Sequence, residues 1–194
     1  TIDNNSCLYE IDECGDCGGD GPEYGYDCNG NITVGAFAHG GIVFYVDETG
    51  EHGLVSAIDD LPETYEWGCY MDDVDGADSS AIGTGYQNTM DIINQECLTE
   101  NDEVITAAKA ALDTEIDGYS DWYLPSRDEF IEIYNTIVNV DIEGDIGGFE
   151  NSRYWSSTEN GSESAWMLDV HSFGFTSYFG DKSNACKVRV IRAF

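Results

Sequence analysis

The apolar β-type runs of this chain lie at its two ends, with helical periodicity between them, so the sheet it builds has to bring those ends together. GGIVFYVDETGEHGLVSAI (40–58) holds two such runs, Ile42 to Val46 and Leu54 to Ile58, around DETGEHG, whose turn residues specify a hairpin. Helices are predicted over 88–97 and 102–114, the second with acidic residues in its first turn and Ala, Leu and Ile on one face. In SRDEFIEIYNTIV, Ser126 stands three residues before Glu129, a capping box, and Phe130, Ile133, Tyr134 and Ile137 recur at helical spacing. After a Gly-rich stretch from Gly144 to Gly148, four short strands are predicted as a meander over 154–158, 165–171, 174–179 and 187–193. Pairing the first strand with the last closes an α+β domain, about three helices beside an antiparallel sheet that contains both termini.

At 194 residues, 41% hydrophobic, the chain can bury one main core. Seven Lys and Arg against 39 Asp and Glu give a formal charge of −32, which repels phosphate backbones and anionic lipid. Nucleic-acid binding is excluded, and no apolar run approaches the ~20 residues that cross a bilayer. Acid this dense invites calcium, which takes hard oxygen ligands, although a solvated acidic surface accounts for most of these carboxylates. The absence of an initiator Met reads as a processed or excerpted chain, and seven cysteines point to an oxidising compartment, hence to secretion.

Residues 1–34 are poor in Leu, Val and Ile and rich in Gly, Asp, Asn and Cys, and are read as an arm preceding a domain over 35–194. Within the arm, CGDCGGDGPEYGYDC (14–28) has one CxxC, without the second knuckle or His pair usual in zinc modules. Gly15, Gly18 and Gly19 deny it the helix start that would activate a redox thiol. Cys7, Cys14, Cys17 and Cys28 are therefore expected to form disulfides, with all three pairings open. Of Cys69, Cys97 and Cys186, two are expected to pair, leaving one thiol either buried or linked to another chain.

Two acidic clusters are candidate calcium sites: Asp72, Asp73, Asp75 and Asp78 in a long irregular loop, and Asp12, Asp16, Asp20 and Asp27 in the arm. Neither has EF-hand spacing. HSFGFTSYFGDKSN (171–184) joins aromatics to small polar residues in an expected exposed hairpin, which suits a binding surface. His171, Phe173, Phe175, Tyr178, Phe179 and Asp181 are its candidate ligand contacts. His171 with Asp169 lacks a nucleophile elbow, so no catalytic residue is assigned. Most of Trp67, Trp122, Trp155 and Trp166 are read as core, and Arg127, Arg153, Arg189 and Arg192 as ion-pair partners of nearby acids.

The blocks GGIVFYVDETGEHGLVSA, EWGC, AIGTGYQNT, DWYLPSRDEF, YWSSTE, AW and KVRVIRAF, spread over about residues 38–194, resemble the Legionella collagen-like adhesin C-terminal domain family. That resemblance implies a C-type-lectin-like fold, related also to the formylglycine-generating enzyme, and extracellular adhesion or ligand binding, glycosaminoglycan included. The chain departs from sugar-binding C-type lectins, having none of their Glu-Pro-Asn, Gln-Pro-Asp or Trp-Asn-Asp triplets, and from the enzyme, having only Cys186 near its C-terminus. It also lacks a basic cluster for a heparin-like ligand. Relatives often carry a second cysteine near position 111, here Ala111, which implies that Cys97 has lost its partner. DECGDCGGDG resembles short disulfide-bonded segments of large secreted proteins.

The expected function is a non-enzymatic extracellular recognition module, binding a glycan or protein ligand through loops at about 71–87 and 171–184. The alternative is a structural subunit that self-assembles into a filament or surface appendage, with the arm and the odd cysteine locking neighbours together.

Overall fold

A computed structural model describes residues 10–23, 25–101, 103–138, 147–171 and 174–194. Cys7, Phe173 and most of the Gly-rich stretch before Gly148 lie outside these residues. The elements run β1 (Phe37–Ala38), β2 (Gly41–Val46), β3 (Gly53–Ser56), α1 (Gly85–Asn94), α2 (Ala107–Leu112), α3 (Arg127–Ile133), β4 (Arg153–Glu159), β5 (Ser164–His171), β6 (Gly174–Asp181) and β7 (Ile191–Ala193). The fold is α+β with antiparallel sheets, as the order of runs predicts, but the described residues form two sheets: β1-β2-β3-β7 and β4-β5-β6.

Two expectations about pairing are corrected. The last strand closes onto β3, the second arm of the hairpin, with Leu54 opposite Ala193 and Ser56 opposite Ile191, not onto the first strand. The expected four-strand meander stops at three, because only Ile191–Ala193 is regular strand and it joins the other sheet. The residues before it run alongside the 57–65 segment, whose Ala57 and Leu61 amides donate to Val190 and Val188 carbonyls.

Helix α3 packs between the sheets. Its capping box forms: Ser126 Oγ accepts from the Glu129 amide at 3.3 Å, and Glu129 Oε2 accepts from the Ser126 amide at 2.6 Å. Ile133 and Ile137 meet Ile42, Phe44 and Ile191 of the first sheet, while Phe130 and Tyr134 meet Tyr154, Leu168 and Val170 of the second. The helix continues as a π-helical turn over Tyr134–Val138. Trp67, Trp122 and Trp155 are fully buried in the main core, as read from the sequence.

The arm is built from two similar turns. In DECGD and DCNGN, an Asp carboxylate oxygen accepts two forward amides: Asp12 from Cys14 and Asp16, Asp27 from Asn29 and Asn31. Gly15 and Gly30 supply the left-handed residue each turn requires, at φ +87° and +83°. A disulfide from Cys14 to Cys28 ties the two turns together, and Cys17 is disulfide-bonded as well. The chain then enters the first sheet through Gly35 and Ala36, which bond Val43.

Of the remaining three cysteines two pair, as expected, and one expectation is corrected. Cys97 has kept a partner, forming a disulfide with Cys69 rather than depending on position 111, where Ala111 is packed in the core. Cys186 is the odd thiol, and of the two expected outcomes it takes the buried one, 3% accessible within the main core.

Candidate binding surface

The irregular loop after Cys69 is fixed through its backbone. Lys182, fully buried over the Trp67 ring, donates from Nζ to the Asp72 carbonyl at 2.8 Å and pairs with Glu159 Oε1 at 2.5 Å. The same Glu159 oxygen accepts from the Val74 amide, and Gln95 clamps the next residues by donating to the Asp73 carbonyl and accepting from the Asp75 amide. The carboxylates of Asp72, Asp73, Asp75 and Asp78 stay at exposed positions. Among the described residues, no three His, Cys, Asp or Glu gather as a metal-binding set.

Further along, the loop is bonded to the start of α3. The Ser80 carbonyl accepts from the Asp128 amide and Ser126 Oγ, and the Ser79 carbonyl accepts from Asn88 Nδ2 and Thr158 Oγ1. Glu129 Oε1 accepts from the Gly83 amide at 2.8 Å. Burial pushes the Glu129 carboxyl pKa up, opposed by the amides it accepts from.

A row of side chains runs from the first residue of α3 across β5 to β6. Arg127, held by Asp128 at 2.8 Å, stands 4.8 Å over the Trp166 ring. Trp166 faces Phe179 directly across the strand pair, the rings meeting edge to face at 5.9 Å. Phe179 is 55% exposed, and β6 is an edge strand of its sheet.

The predicted contacts divide around this row. Phe179 and His171 are exposed, whereas Phe175 turns inward onto Tyr134 at 4.4 Å and Tyr178 packs against the main core. Both faces of β6 are thus partly covered, one by α3 and one by the core, which alternation along the strand does not disclose. Asp181 organises the turn after β6, accepting from the Ser183 amide and Oγ. Arg127 and Trp166 complete the surface, where the sequence pattern alone indicates an ion-pair partner and a core residue.

A cleft of about 410 Å³ opens where Ile82 and Gly83 of the loop meet the first sheet, and no sequence pattern announces it. Tyr45, Leu54 and Phe194 from the first sheet, Asp47 and His52 from the hairpin turn, and Ile82 from the loop line it. Phe194 is held by a reciprocal backbone pair with Gly53 and by His39, whose ring stacks on it at 4.1 Å. Asp47 Oδ1 accepts from the Thr49 hydroxyl and amide and the Gly50 amide; these bonds, the hydroxyl first, hold its pKa below the usual carboxylate range. DETGEHG signalled the turn that places Asp47 and His52, but no local pattern brings Ile82 beside them.

No curated protein matches the chain. Among solved structures, a fimbrial protein from Bacteroides ovatus ATCC 8483 shares the fold at a TM-score of 0.50 and 14% identity, over 86% of this chain and 47% of that one. The chain thus spans about half the length of that fimbrial protein. Residues 60–192, well over half of the chain, match the Lcl C-terminal domain, the family its sequence blocks resemble, and the chain belongs to that family.

Proposed function

We propose that this chain is a non-enzymatic recognition module of an extracellular adhesin or surface appendage, with a C-type-lectin-like frame, that contacts a glycan or protein ligand through β5, β6 and the adjoining loop. The observation that carries the reading is the Arg127, Trp166 and Phe179 row: the half-buried Arg127 guanidinium of α3 stands over the Trp166 ring, and the exposed Phe179 meets that ring across paired strands, next to a loop bonded to the frame at both ends. Such rigid aromatics give contact area at low entropic cost. Membership of the Lcl family supports an adhesin role, and disulfides at Cys14–Cys28 and Cys69–Cys97 fit an oxidising, extracellular setting. The groups best suited to acid–base or nucleophilic chemistry have structural partners or are buried: Glu129 caps a helix, Lys182 and Arg189 are ion-paired, and Cys186 is enclosed.

The test is adhesion to host cells or extracellular matrix by the native protein and by the Trp166→Ala and Phe179→Ala variants. Lost adhesion with an unchanged melt is expected; undiminished adhesion in both variants sinks the reading.

The second reading, a self-assembling filament subunit, draws support from the fold shared with a fimbrial protein and from β6, whose edge offers backbone groups to another strand. Electron microscopy of the native secreted material separates the two: regular filaments favour the subunit, and isolated particles favour the monomeric adhesin.

A further inference from the structure

We propose that the cleft between the 47–52 turn, Ile82 and Phe194 binds the ammonium or guanidinium head of a Lys or Arg side chain presented by a basic partner protein. Its volume, about 410 Å³, lies within the ~300–1,000 Å³ usual for sites that enclose a small group. The walls are preformed: Phe194 is fixed by Gly53 and His39, and the loop carrying Ile82 is anchored through Gly83 to Glu129. Tyr45 and Phe194 supply aromatic rings that attract a cation, and Asp47 supplies a carboxylate. Neither Lys nor Arg lines the cleft, and Asp47 is its one acidic side chain.

Charge identifies the source of the cation. All seven Lys and Arg of the chain are already in ion pairs: Lys109 with Asp113, Arg127 with Asp128, Arg153 with Asp169, Lys182 with Glu159, Lys187 with Glu150, Arg189 with Asp60 and Arg192 with Asp121. A second copy of this chain would have to break one of these pairs to fill the cleft. The formal charge of −32 instead draws in a basic protein and raises its encounter rate. The site shares no residue with the Arg127, Trp166 and Phe179 row and does not depend on the function assigned to that row.

The experiment is an aromatic-region NMR titration of the full chain in 150 mM NaCl with N-acetyl-lysine methylamide, N-acetyl-arginine methylamide, N-acetyl-norleucine methylamide and methyl β-glucoside. Saturable shifts at Tyr45 and Phe194 are expected with the two cationic probes and not with norleucine or the sugar. Asp47→Asn keeps the turn's acceptor oxygen and should weaken cation binding about fivefold, the effect of losing one partly exposed ion pair. Phe194→Leu should abolish it. Equal shifts with norleucine or glucoside, shifts scattered over the acidic surface, no shift, or unchanged cation affinity in Asp47→Asn would each overturn the proposal. The same titration on Trp166→Ala and Phe179→Ala should be unchanged, which separates this site from the adhesive row.

Discussion

At the scale of single residues, Lys182 carries the long loop. Its ammonium has no solvent contact and binds Glu159 together with the Asp72 and Cys69 carbonyls, so removing it leaves the buried Glu159 carboxylate uncompensated. Lys182→Met should cost about 3–5 kcal/mol in urea unfolding, and adding Glu159→Gln should recover part of that loss, because an isolated buried charge costs more than an absent pair. A double variant no more stable than Lys182→Met would refute the assignment. Cys186 gives a second test. Burial pushes its thiol pKa up to about 12, so the folded protein should resist iodoacetamide at pH 8 and take up one equivalent only when unfolded without reduction. An odd thiol was legible in the count of cysteines, but which one it is and the role of Lys182 were not. GDKSN reads as a polar turn, and nothing local says that Lys182 reaches residues more than a hundred positions away; Cys69 and Cys97 likewise meet only through the folded loop. The arginines were legible in kind, since so few bases among so many acids find acidic partners wherever the fold puts them.

At the scale of elements, the local reading held for the hairpin and the capping box and failed for the helix expected over 102–114, which is only Ala107–Leu112, starts after Thr106 and has no acid in its first turn. The hairpin and the α3 capping box depend on residues close in sequence, and both form as expected. Three exposed turns share one chemistry, with Asp12, Asp27 and Asp47 each accepting forward amides and each holding its carboxyl pKa below the usual value near ~3.9. A lowered folded pKa means stability that is present above the unfolded value and lost as pH falls through the folded one. Glu129, raised by burial, acts in the opposite sense: its ionised form costs stability at neutral pH, and that cost disappears on acidification through its folded pKa. Between pH 5 and 2.5 the turns should therefore loosen while the start of α3 holds, seen as faster hydrogen exchange at the Asp16, Asn31 and Gly50 amides than at Ser126. Uniform exchange across these amides would contradict that order. Gly85 opens α1, where Ala is usually favoured by about 1 kcal/mol. Here an added Cβ would lie 2.3 Å from Glu129 Oε2 and 2.6 Å from the Leu124 carbonyl oxygen. Gly85→Ala should reverse the usual sign and destabilise by about 1–3 kcal/mol, measured by the midpoint of urea unfolding.

At the scale of the whole molecule, strands at both ends of the pattern were enough to give an α+β fold, because a sheet must pair those ends. The division into two sheets and the cleft between the first sheet and the Ile82 loop were not legible, since strand register and loop placement are settled by contacts far apart in sequence, such as Leu54 with Ala193 and Gly83 with Glu129. Charge acts at this scale too. With all seven bases paired, most of the 39 carboxylates repel one another across the compact chain, and that repulsion is relieved on unfolding. Raising NaCl from 10 to 150 mM shortens the screening length from about 30 to about 8 Å and should raise the melting temperature by several degrees. Screening depends on ionic strength and valence, not on ion size, so calcium and magnesium chloride at equal concentration should give coincident melting curves. Calcium selects for size and for six to eight oxygen ligands, which the exposed Asp72, Asp73, Asp75 and Asp78 would have to gather around one ion. A calcium curve that rises above the magnesium curve, and falls back when Asp72 and Asp73 become Asn, would place a specific ion on the loop, stabilising the acidic chain beyond the screening of its repulsion.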